Sequence, residues 1–270
     1  MFHAHGARMR SSCLSRQVGA ALLDRGGNLL ATGTNEVPRA GGGVYGGVFD
    51  GYSDVDPNDH RCFSHGGYCR NTQAQNAIID DLAKSIDELP DEPSPELRKK
   101  IRATKIGQLI EFSRAVHAEM DALISAAREG VSTVGSRLYV TTYPCHNCAR
   151  HIVAAGVDEV QFIEPYLKSQ ALPLHGDAIT DQSKNWVPPS EFYKMRQEER
   201  VGKFAQVLFR PFTGVAPRLY QRAFLKDRDL KNSETGDMLR ISESESESVS
   251  NVLESSYTQI EAILAAQNPQ

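Results

Sequence analysis

"RLYVTTYPCHNCARHIVAAGVDEVQFIEPY", Arg137–Tyr166, holds a strand, a helix and a second strand in thirty residues. "RLYVTTY" is rich in β-branched and aromatic residues and reads as a strand. "CARHIVAAG" reads as a helix stopped by Gly156, and "EVQFIEPY" as the next strand. Pro144 and the pair Cys145 and Cys148 stand at the junction, where the strand gives way to the helix. Thiolates are favoured there, because unpaired N–H groups give a helix N-terminus partial positive charge.

Upstream, "QVGAALLD" (Gln17–Asp24) and "LLATGTNEV" (Leu29–Val37) read as a hairpin across "RGGN", after a short helix within residues 3–15. Apolar spacing predicts a helix over Asn71–Leu89, broken by "PDEPSP", and another from Glu96 through Ile110. A further helix carries "AVHAEMDAL" (Ala115–Leu123) and ends at Gly130, and "FAQVLFRPF" (Phe204–Phe212) is a late strand. A hairpin followed by strand–helix alternation implies an α/β fold with a mixed sheet flanked by helices. Residues 1–226 are expected to form one domain, with a Gly-rich inserted loop at 38–70 and a helical insert at 71–113. From 227 to 270 the Ser/Glu run "ISESESESVSN" marks a low-complexity tail.

The 270-residue chain is 40% hydrophobic and 24% charged, which is ordinary for a globular protein. Its net charge of −4 supplies no broad cationic field, so a nucleic-acid polymer is not the expected partner. It contains no apolar run long enough for a membrane span, and the N-terminal stretch lacks the apolar region of a secretory signal. Five cysteines, two of them in C-x-x-C, favour metal ligands or free thiols over a disulfide framework, and a cytoplasmic setting is expected.

Cys145 and Cys148 are too few for a closed structural zinc site and call for a nitrogen ligand. His117, near the start of its own helix, is the candidate. Residues two apart on a helix point to nearly opposite sides, so His117 and Glu119 can address one site only from the helix end. Three protein ligands with an open fourth position is the arrangement of catalytic zinc, which lowers the pKa of water to about 7. Glu119, beside the ion but not bound to it, would carry the proton. H-x-E followed by P-C-x-x-C is the signature of zinc nucleobase deaminases. A lone C-x-x-C is often half of a structural site, but the joint occurrence in this order is far rarer.

With these motifs, the chain resembles the deoxycytidylate (dCMP) deaminase branch of the cytidine deaminase superfamily. The resemblance runs from Ser12 to Tyr166 through "SRQVGAALLD", "LLATGTNEVPR", "VHAEMDAL", "LYVTTYPCHNCARHIVAAGV" and "FIEPY". It implies a three-layer α/β/α sandwich, a zinc cofactor, a homo-oligomer, and conversion of dCMP to dUMP or dCTP to dUTP with release of ammonia. "EPYLKSQALPLHGDAI" is similar to bacterial deaminases that deplete these nucleotides during phage infection. Those carry a kinase-like domain ahead of the deaminase, whereas this sequence has no G-x-x-x-x-G-K-[ST] motif.

The resemblance makes Asn35 a sugar ligand and places Tyr143 and Tyr166 against the pyrimidine. Glu36 stands where relatives have glycine, and a carboxylate there would repel phosphate. Asp121 replaces the more common asparagine. Arg16, Arg39 and Lys168 are candidate phosphate contacts. A second, structural metal is expected from Cys13, Cys62 and Cys69 with His65 or His60, in or before "DHRCFSHGGYC". Two other functions compete: a tRNA or single-strand base deaminase, and a zinc-stabilised binding module without activity.

Overall fold

The computed structural model describes residues 1–46, 59–86, 90, 92–224 and 234–235. The chain divides into two units, Met1–Arg218 and Leu219–Gln270. The expected boundary near residue 226 and the Ser/Glu run lie outside the described residues.

The first unit opens with α1 (Phe2–Arg8), β1 (Gly19–Leu23) and β2 (Leu29–Thr34). The insert contributes α2 (Arg70–Ser85) and α3 (Pro95–Arg102), followed by α4 (Ala118–Arg128), β3 (Arg137–Thr142), α5 (His146–Ala154) and β4 (Glu159–Glu164). Then come α6 (Ala171–His175), β5 (Ile179–Thr180), α7 (Pro189–Phe192), β6 (Val207–Pro211) and α8 (Pro217–Phe224), the last running across the division between the units. The strand order is β2-β1-β3-β4-β6-β5, with β1 antiparallel to β2 and β3, and the β3-β4-β6-β5 neighbours parallel. The sheet is mixed, as the alternation of elements implied.

Two glycines show why helices cover both faces. Successive residues of a strand point to opposite sides of the sheet. Gly33 pairs with Ala20 and so shares its face, whereas Gly19 faces the other way. A Cβ on Gly33 would lie 2.1 Å from the Ala118 carbonyl oxygen at the start of α4, and one on Gly19 would lie 2.1 Å from that of Ala4 in α1. The two helices therefore press on opposite faces through positions that only glycine can fill, which produces the three layers. On the α4 face, Ala20, Leu22, Leu138, Val140 and Val160 pack with Ala118, Ala122, Ala149 and Ile152 in one buried cluster. The helices bearing the H-x-E and C-x-x-C motifs thus share one side of the sheet.

The insert departs from the expected long second helix. α3 stops at Arg102, because the extended backbone of Thr104 breaks the spiral and its hydroxyl accepts the Ile106 N–H. Lys105–Gln108 form a separate 3-10 turn. The two-residue β5 went unanticipated, being too short to show a period. No helix among the described residues is long and apolar enough to cross a membrane.

Candidate active site

His117 is the N-cap of α4 and Cys145 the N-cap of α5, both in extended backbone. Parallel β3 and β4 flank α5 in sequence, and the Tyr143 N–H donates to the Glu164 carbonyl (2.8 Å), fixing the chain just before the cysteines. His117 Nδ1 lies 3.3 Å from Cys145 Sγ and 3.4 Å from Cys148 Sγ. The Cys148 N–H points at Cys145 Sγ (3.4 Å), so the helix end itself stabilises a thiolate. Among the described residues these three are the one group of three metal-capable side chains whose ligand atoms all lie within 4.8 Å of one another.

Electrostatics in the metal-free protein reflect this crowding. The Cys145 thiol falls to about 4, chiefly through its hydrogen bond with Cys148, whose own thiol is driven upward by the same bond and by burial. Burial pushes His117 down, but the bond to Cys145 and the charge of Glu119 outweigh it and lift the imidazole to about 9. Glu119, in the first turn of α4, is 4% exposed. Burial raises its carboxyl to about 7, against the opposing pull of His117.

His117, Cys145 and Glu119 line a cavity of about 320 Å3 together with Arg16, Asn35, Tyr143, Tyr166 and Lys168, among others. Its size falls within the range of small-molecule sites. Val18, Thr142 and Ala118 also line it, none of which the sequence had singled out. Thr142 was inferable as the last residue of β3, beside Tyr143.

Residues 1–164 match the cytidine and deoxycytidylate deaminase zinc-binding region. The chain belongs to that deaminase family. Membership makes it an enzyme with zinc as its cofactor, and the donor set suits the ion. Zinc bonds of about 2.3 Å to sulfur and 2.1 Å to nitrogen, at tetrahedral angles, set neighbouring ligand atoms about 3.6 Å apart. The S···N separations of 3.3 and 3.4 Å come close to that value.

Among relatives of this deaminase, the deoxycytidylate deaminase of Enterobacteria phage T2 is 27% identical over 197 residues, which is 70% of this chain and 94% of the phage protein. ComE operon protein 2 of Bacillus subtilis is 43% identical over 54 residues, 20% of this chain, and that match spans only 29% of the bacterial protein. The solved dCMP deaminase of cyanophage S-TIM5, in complex with dCMP and dUMP, is 22% identical over 63% of this chain and 82% of that one, with a TM-score of 0.35.

Of the other expected site residues, Asn35 and Tyr143 line the cavity, whereas Glu36, Asp121 and Arg39 do not. The Asn35 amide is engaged with backbone: its Oδ1 accepts the Val18 N–H (2.6 Å) and its Nδ2 donates to the Arg16 carbonyl (2.7 Å). Glu36 does not confront a phosphate. It is 1% exposed, and its carboxylate accepts from Ser12 and Val37. Asp121 is also buried and accepts the Thr34 N–H (2.9 Å), tying α4 to β2. Tyr143 meets Phe162 and Phe209 edge-on, which leaves it half-buried at the cavity wall. Arg39 belongs to a different cavity, with Arg10 and Arg128.

Cys13, Cys62 and Cys69 line one small cavity of about 80 Å3. Their ligand atoms and that of His65 do not form a group of three within 4.8 Å, and His65 instead packs on His60 with ring centroids 4.9 Å apart.

Proposed function

We propose that this deaminase converts dCMP to dUMP and ammonia, with His117, Cys145 and Cys148 holding zinc and Glu119 as the acid–base group. The observation that carries this reading is Glu119: a carboxyl only 4% exposed that lines the cavity beside His117 and Cys145. A purely structural metal site has no use for an unliganded carboxylate at that cost of desolvation.

Zinc supplies the Lewis acidity that makes water nucleophilic near neutral pH. Glu119 takes a proton from water as its oxygen adds at the ring C4 and passes it to the ring N3, then carries the second water proton to the departing amino group. The C–O bond forms, the C–N bond breaks, and ammonia leaves with the proton it has gained. Tyr143 and Tyr166 wall the ring, and the Asn35 amide holds the Arg16–Val18 wall in place. Arg16 and Lys168 supply the positive charge for the phosphate. Glu164 lies 3.5 Å from both Arg16 and Arg8, so it tempers that charge at the mouth.

The wider reading adds a homo-oligomer, a cytoplasmic setting and, by sequence resemblance, nucleotide depletion during phage infection. For the last, protection would have to vanish with deamination in a Glu119→Ala strain. A polymer substrate is disfavoured by the net charge of −4. A competition among deoxycytidine, dCMP, dCTP, CMP and CTP, with Glu119→Ala as blank, tests substrate choice. Dominant dUMP supports the proposal, dominant dUTP moves the substrate to the triphosphate, and no uracil product removes the free-nucleotide reading.

A further inference from the structure

Glu36 is among the largest fully buried side chains in the protein, yet it carries a carboxylate. Both of its oxygens are occupied. Oε2 accepts the backbone N–H of Ser12 (2.7 Å) and its hydroxyl (2.6 Å), and Oε1 accepts the Val37 N–H (2.9 Å). All three donors are neutral, so the site consists of hydrogen bonds to an anion, the strong kind.

What those bonds hold is one wall of the active site. Residues 11–18 have no regular secondary structure, and Arg16 and Val18 face the cavity. Glu36 grips the start of this loop at Ser12. Asn35, next in the chain, grips its end through the Arg16 carbonyl and the Val18 N–H. The backbone of Glu36 also forms an antiparallel bridge with Val116: its N–H donates to the Val116 carbonyl (3.2 Å) and its carbonyl accepts the Val116 N–H (3.0 Å). Val116 immediately precedes His117. One residue thus connects the loop bearing Arg16 to the chain bearing the histidine of the metal cluster.

We propose that Glu36 is a positioning residue for the reaction: its side chain sets the Arg16–Val18 wall at a fixed place relative to the His117 cluster. The division of labour is specific. The backbone bridge serves the metal side and survives a change of side chain, whereas the carboxylate serves the substrate wall through Oε2. An amide could still turn its one acceptor oxygen to Ser12 and leave only the Val37 N–H unpaired, whereas alanine removes both oxygens and leaves the Ser12 N–H without its partner. This proposal rests on the dCMP reading for its kinetic arm and on the fold alone for its exchange arm.

The test compares Glu36→Ala and the milder Ser12→Ala with the unmodified protein in zinc content, amide hydrogen exchange and dCMP kinetics. In Glu36→Ala, exchange at residues 12–18 is expected to rise about tenfold or more while α4 stays within about twofold, since one unpaired buried donor is worth about a factor of ten. KM for dCMP rises by a similar factor, kcat changes much less, and zinc content is unchanged. Ser12→Ala shifts the same quantities in the same direction by less, and it carries the test if Glu36→Ala does not fold.

Unchanged exchange at 12–18 overturns the proposal. So does a loss of kcat and zinc with KM unchanged, which would place Glu36 on the metal side. If the unmodified protein makes no dUMP, the dCMP reading fails by itself, and the exchange arm still decides whether Glu36 holds the loop.

Discussion

His117 Nδ1 and Cys145 Sγ lie 3.3 Å apart although 28 residues separate them, each at the N-cap of its own helix. Two helix ends converge on one point, and Cys148 completes the group from the first turn of α5. Removing one donor leaves two, too few to retain the ion. His117→Ala and Cys148→Ala should each purify nearly free of zinc, without measurable deamination, and with a melting temperature lower by roughly 5 °C or more. Metal analysis and thermal melts check this, and a full complement of zinc in either variant would contradict the ligand assignment.

In the proposed reaction Glu119 touches the chemistry and not the ion. Glu119→Gln should keep its zinc and fold while kcat falls by roughly 10²- to 10⁴-fold, the range for a lost acid–base group. A variant with normal turnover would remove Glu119 from the reaction.

Gly33 lets α4 seat against the sheet. A methyl group at this position would meet the Ala118 carbonyl oxygen at 2.1 Å, and the obstacle is backbone that cannot swing aside. Gly33→Ala should destabilise the protein by roughly 1–3 kcal/mol, the cost typical of overpacking. Denaturant titration measures it. Because Ala118 adjoins His117, zinc should also bind more weakly.

Asp59 anchors the loop before α2. Hydrogen bonds from Arg61 hold its carboxyl at about 2, against the opposing effect of burial. A depressed carboxyl stabilises the folded state above its unfolded pKa and loses that contribution as pH falls through the folded value. Asp59→Asn should therefore lower the melting temperature by a constant amount from neutral pH down to about 5, and the difference should shrink between about pH 4 and 2. Melts across that range check it, and a difference that persists at pH 2 would count against the Asp59–Arg61 interaction.

The parts of the site legible in the sequence are those encoded locally. His117 and Glu119, like Cys145 and Cys148, announce themselves by short spacing at the starts of helices, and the β3–α5–β4 unit by its change of period. What stayed hidden depends on distant partners. Nothing near Asn35 reveals that its amide is engaged with the backbone of Arg16 and Val18, and nothing near Glu36 shows that its carboxylate turns inward to Ser12. The long helix expected after Glu96 failed on a single local competitor, the Thr104 hydroxyl capping a new turn. Cys13, Cys62 and Cys69 share a cavity, as the sequence suggested, but their coordination is a matter of geometry that spacing does not encode.

The most direct test of the central claim is a zinc titration of chelator-stripped protein, followed by the rate of dUMP formation from dCMP. The account predicts no product without metal, a rise with added zinc that levels off at one ion per chain at the His117 cluster, and no rise in Glu119→Gln. A plateau only at two ions per chain would bring the Cys13, Cys62 and Cys69 cavity into the active form. No dUMP at any zinc level would contradict the account.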